Sequence, residues 1–582
     1  MQLKSLLGIL ALLALITPTT QAQLNRSRVT DGNPGKIQSK ERSDSFKQQR
    51  ESVSWKQLFE IRETLLRERQ KSDGRGIEAS PNETSTFVVT NLNDSGPGSL
   101  RQAIAEAPGG GTITFASGLT GEILLANGSL VIDKSLSIVG PGARNIRVNA
   151  VNLSPGFASV FRIAPPELMS TVTDAESLLS VEKSHGMIPI MNVSISGLTI
   201  MGGRGTLAQS YQATVGGGIV ADINPGSPTA NLTVLNCSIQ QNWSGLGGGI
   251  FLRGLSQTII EGTTFHGNIG NVGGGLRIDE TGPTIIFNST FTNNISTIEG
   301  GAIFRLGLNS LAGVANSTIS TNLTLGSAAG ILSQSPPPPP IGASEGPQED
   351  PEIGALLLLN TIVAGNQYIE DMISNPTGKV AYPDVEGVFA ATFCLIGIGE
   401  GSNIVNGGAE PNIVGNFKTP IDPLLGSLAD NGGPTDTMAI SPMSLARDAG
   451  KNGVGLPPYD QRGFLRPWYP TLPNPFMGPG DGSDIGAYEY SFTTSAPVFL
   501  AGWVTDQSGR SVVGAQVTVM DSETGEIKTT RTNQFGRYSV EGLTAGRVFV
   551  VSVLSRFSSE RPVQTVSLAE DLTGLNFVLS RR

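Results

Sequence analysis

The chain has 582 residues, of which 74 are Gly and 36 Pro; 15% are charged, and the formal net charge is −10. This length accommodates more than one domain, the lack of a Gly-X-Y period excludes collagen, and an acidic chain without a basic stripe excludes an electrostatic nucleic-acid binder. Two cysteines, Cys237 and Cys394, cannot staple a chain this long, so the fold is expected to rest on burial and hydrogen bonding.

Residues 1–22 combine Lys4, the apolar run Leu6 to Ile16 and the small-residue end Thr20-Gln21-Ala22, the pattern of a cleaved signal peptide. The apolar run is too short to span a bilayer, and no later stretch is long and apolar enough to do so. The expectation is export, to the extracellular space or the cell surface, with the mature chain beginning near Gln23 and carrying no transmembrane segment. Residues 23–82 form a polar leader. Within it Trp55, Leu58, Phe59, Arg62, Leu65 and Leu66 fall three and four apart, which predicts one amphipathic helix from about Ser52 to Gln70.

From Phe87 the texture changes to short alternating runs divided by Gly, Pro and Asn: Phe87–Thr90, Thr112–Phe115, Gly121–Leu125 and Leu136–Val139. Ser99 to Glu106 reads as one short helix between them. Further on, four segments align, each ending in Ile or Phe, two variable residues and Asn. Their asparagines, Asn242, Asn268, Asn294 and Asn322, are spaced 26, 26 and 28, and the small-residue triplets 247–249, 273–275, 300–302 and 328–330 keep step. A coil of this length holds about three short strands and three corners. Coils stacked at the ~4.8 Å strand spacing place equivalent residues above one another. The fold class predicted is all-β, a right-handed parallel β-helix over residues 83–495 followed by a small antiparallel β-sandwich over 496–582. Asn242, Asn268, Asn294 and Asn322 are expected to form a structural ladder of amide hydrogen bonds. The glycine triplets recur at coil period without a following helix or Lys, so they are corners rather than a phosphate cradle.

Cys237 alternates in phase with Leu235 and Ile239, which predicts a packed core thiol; a Cys237–Cys394 disulfide is the alternative. Pro165 to Gly186 and Ser333 to Pro351, the latter with five consecutive prolines, interrupt the pattern and are expected to protrude as loops.

Three groups of residues resemble a family of bacterial secreted β-helix proteins. Val88 to Ile104 looks like that family's N-terminal cap. Leu136–Ala143 and Val193–Ile200 look like its first coils. Asp422 to Thr435, Asp448-Ala-Gly450, Asp460-Gln-Arg-Gly463 and Asp484 to Glu489 look like the choice-of-anchor module that closes such helices, with Met438 where the family often has His. The resemblance covers about residues 85–490. The final segment, with Gly502-Trp-Val-Thr-Asp506 and Asn533-Gln-Phe-Gly-Arg-Tyr538, resembles the carboxypeptidase regulatory-like domain, an accessory module without catalytic residues in that family.

Hydrolases on β-helices use clustered aspartates with His, and the lyases use carboxylate-held calcium beside an Arg base. This chain has no Asp-Asp pair and no Gly-His-Gly, and its two histidines are His185 and His266, the latter at a variable position expected to face solvent. No metal-ligand spacing and no cofactor motif is visible. Arg253, Arg277 and Arg305 follow the corner triplets and are expected to form an exposed basic column. It reads either as a weak polyanion-binding strip or as solvated strand charge. The functional reading is a non-catalytic surface or extracellular protein for adhesion or carbohydrate binding, with a polysaccharide or another cell-surface component as partner. The alternative is a diverged polysaccharide lyase or glycoside hydrolase.

Overall fold

A computed structural model of the chain describes residues 86–490 and 498–580, except 154–157, 166–189, 209–210, 212, 224–229, 308–310, 335–354, 369–382, 453–455, 468–478, 523–524, 557, 559–560 and 569–570. The expected signal peptide, the 52–70 helix and His185 lie outside the described residues, as do residues 166–186 and 335–351 of the two insertions. The chain divides into two compact units between Glu489 and Tyr490.

The first unit is a parallel β-helix. Each full coil contributes four strands in chain order, as in Ala230–Leu235, Ser238–Gln240, Trp243–Leu246 and Ile250–Arg253. Stacked coil on coil, these make faces 1 to 4, sheets of ten, ten, seven and eight strands. The stacking is parallel except where Thr206–Ala208 pairs antiparallel with Ala213–Val215 on face 3. Strand alternation sends Leu232, Val234, Ile239, Ile250 and Leu252 into one continuous apolar interior shared by all coils. The opening helix, α1 (Leu100–Glu106), is N-capped by Ser99, whose hydroxyl accepts from the Gln102 N–H. It turns Leu100, Ala103 and Ile104 onto this interior at the first coil.

Corners follow from residue type. Between faces 1 and 2 the chain needs one left-handed residue per coil, and Gly197, Asn236, Gly262, Asn288, Asn316 and Asn360 supply it at φ between 43° and 64°. Phe393 holds the same place at φ 51°, under the Lys451 ammonium 5.6 Å from its ring centroid. Between faces 3 and 4 the triplets answer to close approach: a Cβ on Gly274 would lie 2.3 Å from the Gly301 carbonyl oxygen of the next coil.

The position after the first corner points inward and builds a second ladder. Backbone N–H groups of Cys237, Thr263, Ser289 and Ser317 donate in turn to the hydroxyls of Thr263, Ser289, Ser317 and Thr361. Cys237 and Cys394 sit at the two ends of this column. The registers separate them by five coils, about 24 Å at the strand spacing. Both are buried thiols outside any disulfide, and the disulfide alternative is excluded, since bridged Cα atoms lie within about 7 Å.

The described residues between 422 and 489 lie along the outside of face 2. Thr435 Oγ1 donates to the Gly262 carbonyl, the Asn288 amide to the Tyr459 carbonyl, and the Ala487 N–H to Thr318 Oγ1. Gln461 spans the junction: its Nε2 reaches Thr264 and Thr435, and its Oε1 accepts from Thr290. A buried ionic knot holds this strap together. Arg462 pairs with Asp460 at 2.7 Å and stacks 3.6 Å from the Tyr488 ring centroid, while Arg466 pairs with Glu489 at 3.2 Å. Asp484 accepts from the Asp448 N–H, and Glu489 from the Asp484 N–H. The strap covers the outer side of face 2, which is why Thr264, Thr290 and Thr318 are buried and why His266 is half-buried rather than solvent-facing.

The second unit is a sandwich of two sheets. One contains Gln516–Asp521, Ile527–Arg531, Arg547–Leu554 and Val563–Leu568; the other is built on Val498–Asp506 and Arg537–Leu543. Leu500, Val504, Val517, Val519, Val551 and Phe577 fill the space between. All pairings between these strands are antiparallel. The short Leu572–Thr573 and Phe577–Leu579 instead pair parallel to Val498–Asp506.

Candidate binding faces

Asn242, Asn268, Asn294 and Asn322 stand in one continuous buried ladder between faces 2 and 3. Each side-chain amide donates to the next: Asn242 to Asn268 at 3.0 Å, Asn268 to Asn294 at 2.9 Å, Asn294 to Asn322 at 2.9 Å, and Asn322 to Asn366 at 2.8 Å. The ladder ends on Asp384. Its Oδ1 accepts from the N–H and Nδ2 of Asn366, and its Oδ2 from the Ile398 N–H at 2.8 Å. Only donors converge there, so an acceptor-only side chain fits where an amide would oppose one of them. Burial pushes the Asp384 carboxyl up to about 7 against these hydrogen bonds.

The arginine column is not what the spacing predicted. Arg253 is the fourth residue after its triplet, Arg277 the second and Arg305 the third, and the registers keep them apart. Arg253 lies over Asp279, Arg277 between Phe251 and Phe304, and Arg305 between Ile278 and Ser333. Parity then divides them. Arg305 occupies the inward position of Leu252 and Ile278 and is fully buried; its Nη1 reaches Ser333 Oγ at 3.2 Å, and burial pushes its guanidinium down to about 10. Arg253 and Arg277 point outward from face 4 but are spent on Asp222 and Asp279 at 2.5 and 2.9 Å. Tyr211 closes over both, its hydroxyl 3.0 Å from Asp279 Oδ2. Burial, reinforced by the Asp279 charge, pushes the Tyr211 phenol up to about 12. Arg253, Arg277 and Arg305 therefore form no exposed basic strip.

Beside this cluster, where face 3 bends into face 4, two carboxylates approach one another from segments far apart in sequence. Glu299 pairs in register with Ser327, and the Ser327 side chain hydrogen-bonds Glu386. Burial raises both carboxyls, and Glu386 further raises Glu299, while Gln334 donates to Glu299 at 3.1 Å. Nothing in the sequence marks these residues as a pair. Among the described residues no group of His, Cys, Asp and Glu could hold a metal ion, and no helix is long and apolar enough to cross a membrane.

Face 3 carries the other outward feature. Ser244, Gly270, Ser296 and Thr324 point inward and are small, and the alternate positions point out. Trp243, Ile269, Ile295 and Leu323 stack in register as an apolar column over four coils, with Trp243 39% exposed. Alongside runs a polar column in which Thr297 Oγ1 donates to Asn271 Oδ1 at 2.9 Å. The flanking Asn ladder and hydroxyl pairs such as Ser296–Thr324 at 2.8 Å fix the strand from behind.

Comparison with known proteins identifies one segment. Residues 500–580 match the carboxypeptidase regulatory-like domain. No curated protein matches the chain. Among solved structures, the hydroxyquinol 1,2-dioxygenase of Pseudomonas putida DLL-E4 aligns at 10% identity with a TM-score of 0.13, covering 16% of this chain and 59% of that one. The alignment thus spans less than two thirds of the dioxygenase, and at that score it carries no argument about function.

Proposed function

We propose that this protein is an exported, non-catalytic protein that binds an extended polysaccharide along face 3 of its β-helix. The observation that carries this reading is the in-register column of Trp243, Ile269, Ile295 and Leu323 beside the Asn271–Thr297 column. A stack of apolar side chains repeating at the ~4.8 Å strand spacing offers one contact per coil to a polymer whose units advance by a similar length. The adjoining hydroxyl and amide receive its polar edge. An indole gives the face of a sugar ring a large rigid surface at little entropic cost. Preorganisation is already in place, because the hydrogen-bond ladders fix the coils that carry this column. The test is a glycan-array screen of the purified chain and of Trp243→Ala: binding to extended glycans weakened about tenfold or more in the variant supports the reading, and equal binding by both removes face 3.

A second reading, a carbohydrate-active enzyme, is favoured by one observation: Glu299 and Glu386, two partly buried carboxyls with raised proton affinities. Paired carboxylates are the machinery of glycoside hydrolysis. New reducing or unsaturated sugar ends that appear with the wild type and vanish in Glu299→Gln would replace the binding reading with this one.

A further inference from the structure

The C-terminal unit presents a second, chemically different face. Along Val498–Asp506 the side chains alternate: Leu500 and Val504 enter the sandwich core, while Phe499, Ala501, Trp503 and Thr505 face outward. Trp503 is 39% exposed, and its cross-strand partner is Arg537, whose guanidinium carbon lies 5.0 Å from the Trp503 ring centroid. Other arginines of this unit are engaged: Arg510 with Asp506, Arg547 with Asp521, and Arg531 with the Gly514 carbonyl. Among the described residues the Arg537 guanidinium makes no ion pair or hydrogen bond, so its donors are restrained by the indole and otherwise unspent. Around it the hydroxyls of Ser539 and Thr573, both register partners of Ala501, are exposed. Asn576 Oδ1 accepts from the backbone N–H of Trp503, and the Asn576 residue is exposed.

We infer that this outer face binds carboxylated sugar residues of an acidic polysaccharide, with the pyranose stacked on Trp503 and the carboxylate held by Arg537. The inference is independent of face 3. A guanidinium offers a carboxylate a two-pronged fork, and its position over an aromatic ring lowers the entropy lost when the fork is used. The indole meets the apolar side of a sugar ring, and the flanking hydroxyls and amide meet its polar edge. Trp503 shares this face with the half-buried Phe499, and the unspent donors of Arg537 suit an anionic occupant.

The test uses the full chain in affinity gels containing polygalacturonate, its methyl ester, or single-stranded DNA, with Trp503→Ala, Arg537→Gln and Trp243→Ala compared at matched thermal stability. The expected result is retardation by polygalacturonate that exceeds retardation by the ester or DNA and is weakened about tenfold or more by either substitution in the C-terminal unit. Arg537 is exposed, so its replacement leaves the core intact and keeps the test readable should Trp503→Ala fold poorly. Equal retardation by the ester or by DNA overturns the inference. So does retardation indifferent to both substitutions, absence of retardation, or loss in Trp243→Ala alone, an outcome that would assign the binding to face 3.

Discussion

Replacing Asn294 with Asp changes one atom of the ladder and reverses half of its hydrogen bonding. The accepting side survives: the N–H and Nδ2 of Asn268 still meet an oxygen where they now lie 3.1 and 2.9 Å from Asn294 Oδ1. On the other side an oxygen replaces Nδ2, which donates to Asn322 Oδ1 at 2.9 Å and to the Phe265 carbonyl at 3.0 Å. Two donated bonds vanish, and a carboxylate at zero exposure faces two acceptor oxygens. At about 1–3 kcal/mol for each buried polar group left unsatisfied, and more for a charge, the loss is about 4–6 kcal/mol at neutral pH. Protonation supplies one O–H that restores one of the bonds, so the new carboxyl has a raised folded-state pKa. The folded protein then binds more protons than the unfolded chain above the ordinary Asp value of about 3.9, and the destabilisation shrinks as pH falls toward it. Stacked coils do not unfold as a single two-state unit, so the assay is hydrogen exchange resolved over residues 264–322, at pH 5 and pH 8. Thr297→Ala on face 3 serves as the control, with an expected cost of about 1 kcal/mol or less. Equal loss of protection in the two variants, or a larger loss for Asn294→Asp in acid, would refute the ladder argument.

Asp384, with its folded-state pKa raised to about 7 by burial, contributes stability that is full below its unfolded value and falls as pH rises toward 7; thermal unfolding of Asp384→Asn should lack that slope, and parallel curves for the two proteins would contradict it. Cys237 and Cys394 should resist a thiol reagent until the chain is denatured, burial having pushed the Cys394 thiol up to about 12; a reagent-accessible thiol in the folded protein would count against their interior placement. Residues 497–582 carry their own core and should unfold cooperatively as an isolated fragment, whereas a flat, non-cooperative trace would count against independence.

What was legible in the sequence was whatever repeats at coil period. The spacing of Asn242, Asn268, Asn294 and Asn322 places them at one corner, and a buried amide at a repeated corner has little choice but to bond its copies. The triplets were legible because close coil contact admits only small residues. The arginines were misplaced because a triplet fixes where a strand begins but not which side a residue takes. One residue of offset turned Arg305 inward, and two outward arginines met aspartates that a linear reading treats as separate charges. Thr292, at one of the variable positions before the ladder asparagine, is buried with its hydroxyl 2.6 Å from Thr321 Oγ1. The seating of the strap on face 2 and the Glu299–Glu386 approach depend on contacts between distant segments, for which local pattern has no signal.

The binding of a purified neutral oligosaccharide series, measured by calorimetry as a function of chain length, tests polymer binding along face 3 most directly. The column of Trp243, Ile269, Ile295 and Leu323 offers one contact per coil, so affinity should rise with each added unit until the chain spans four coils, then level off, and Ile295→Asp should break the rise midway. Affinity independent of length, or a full rise preserved in Ile295→Asp, would contradict it.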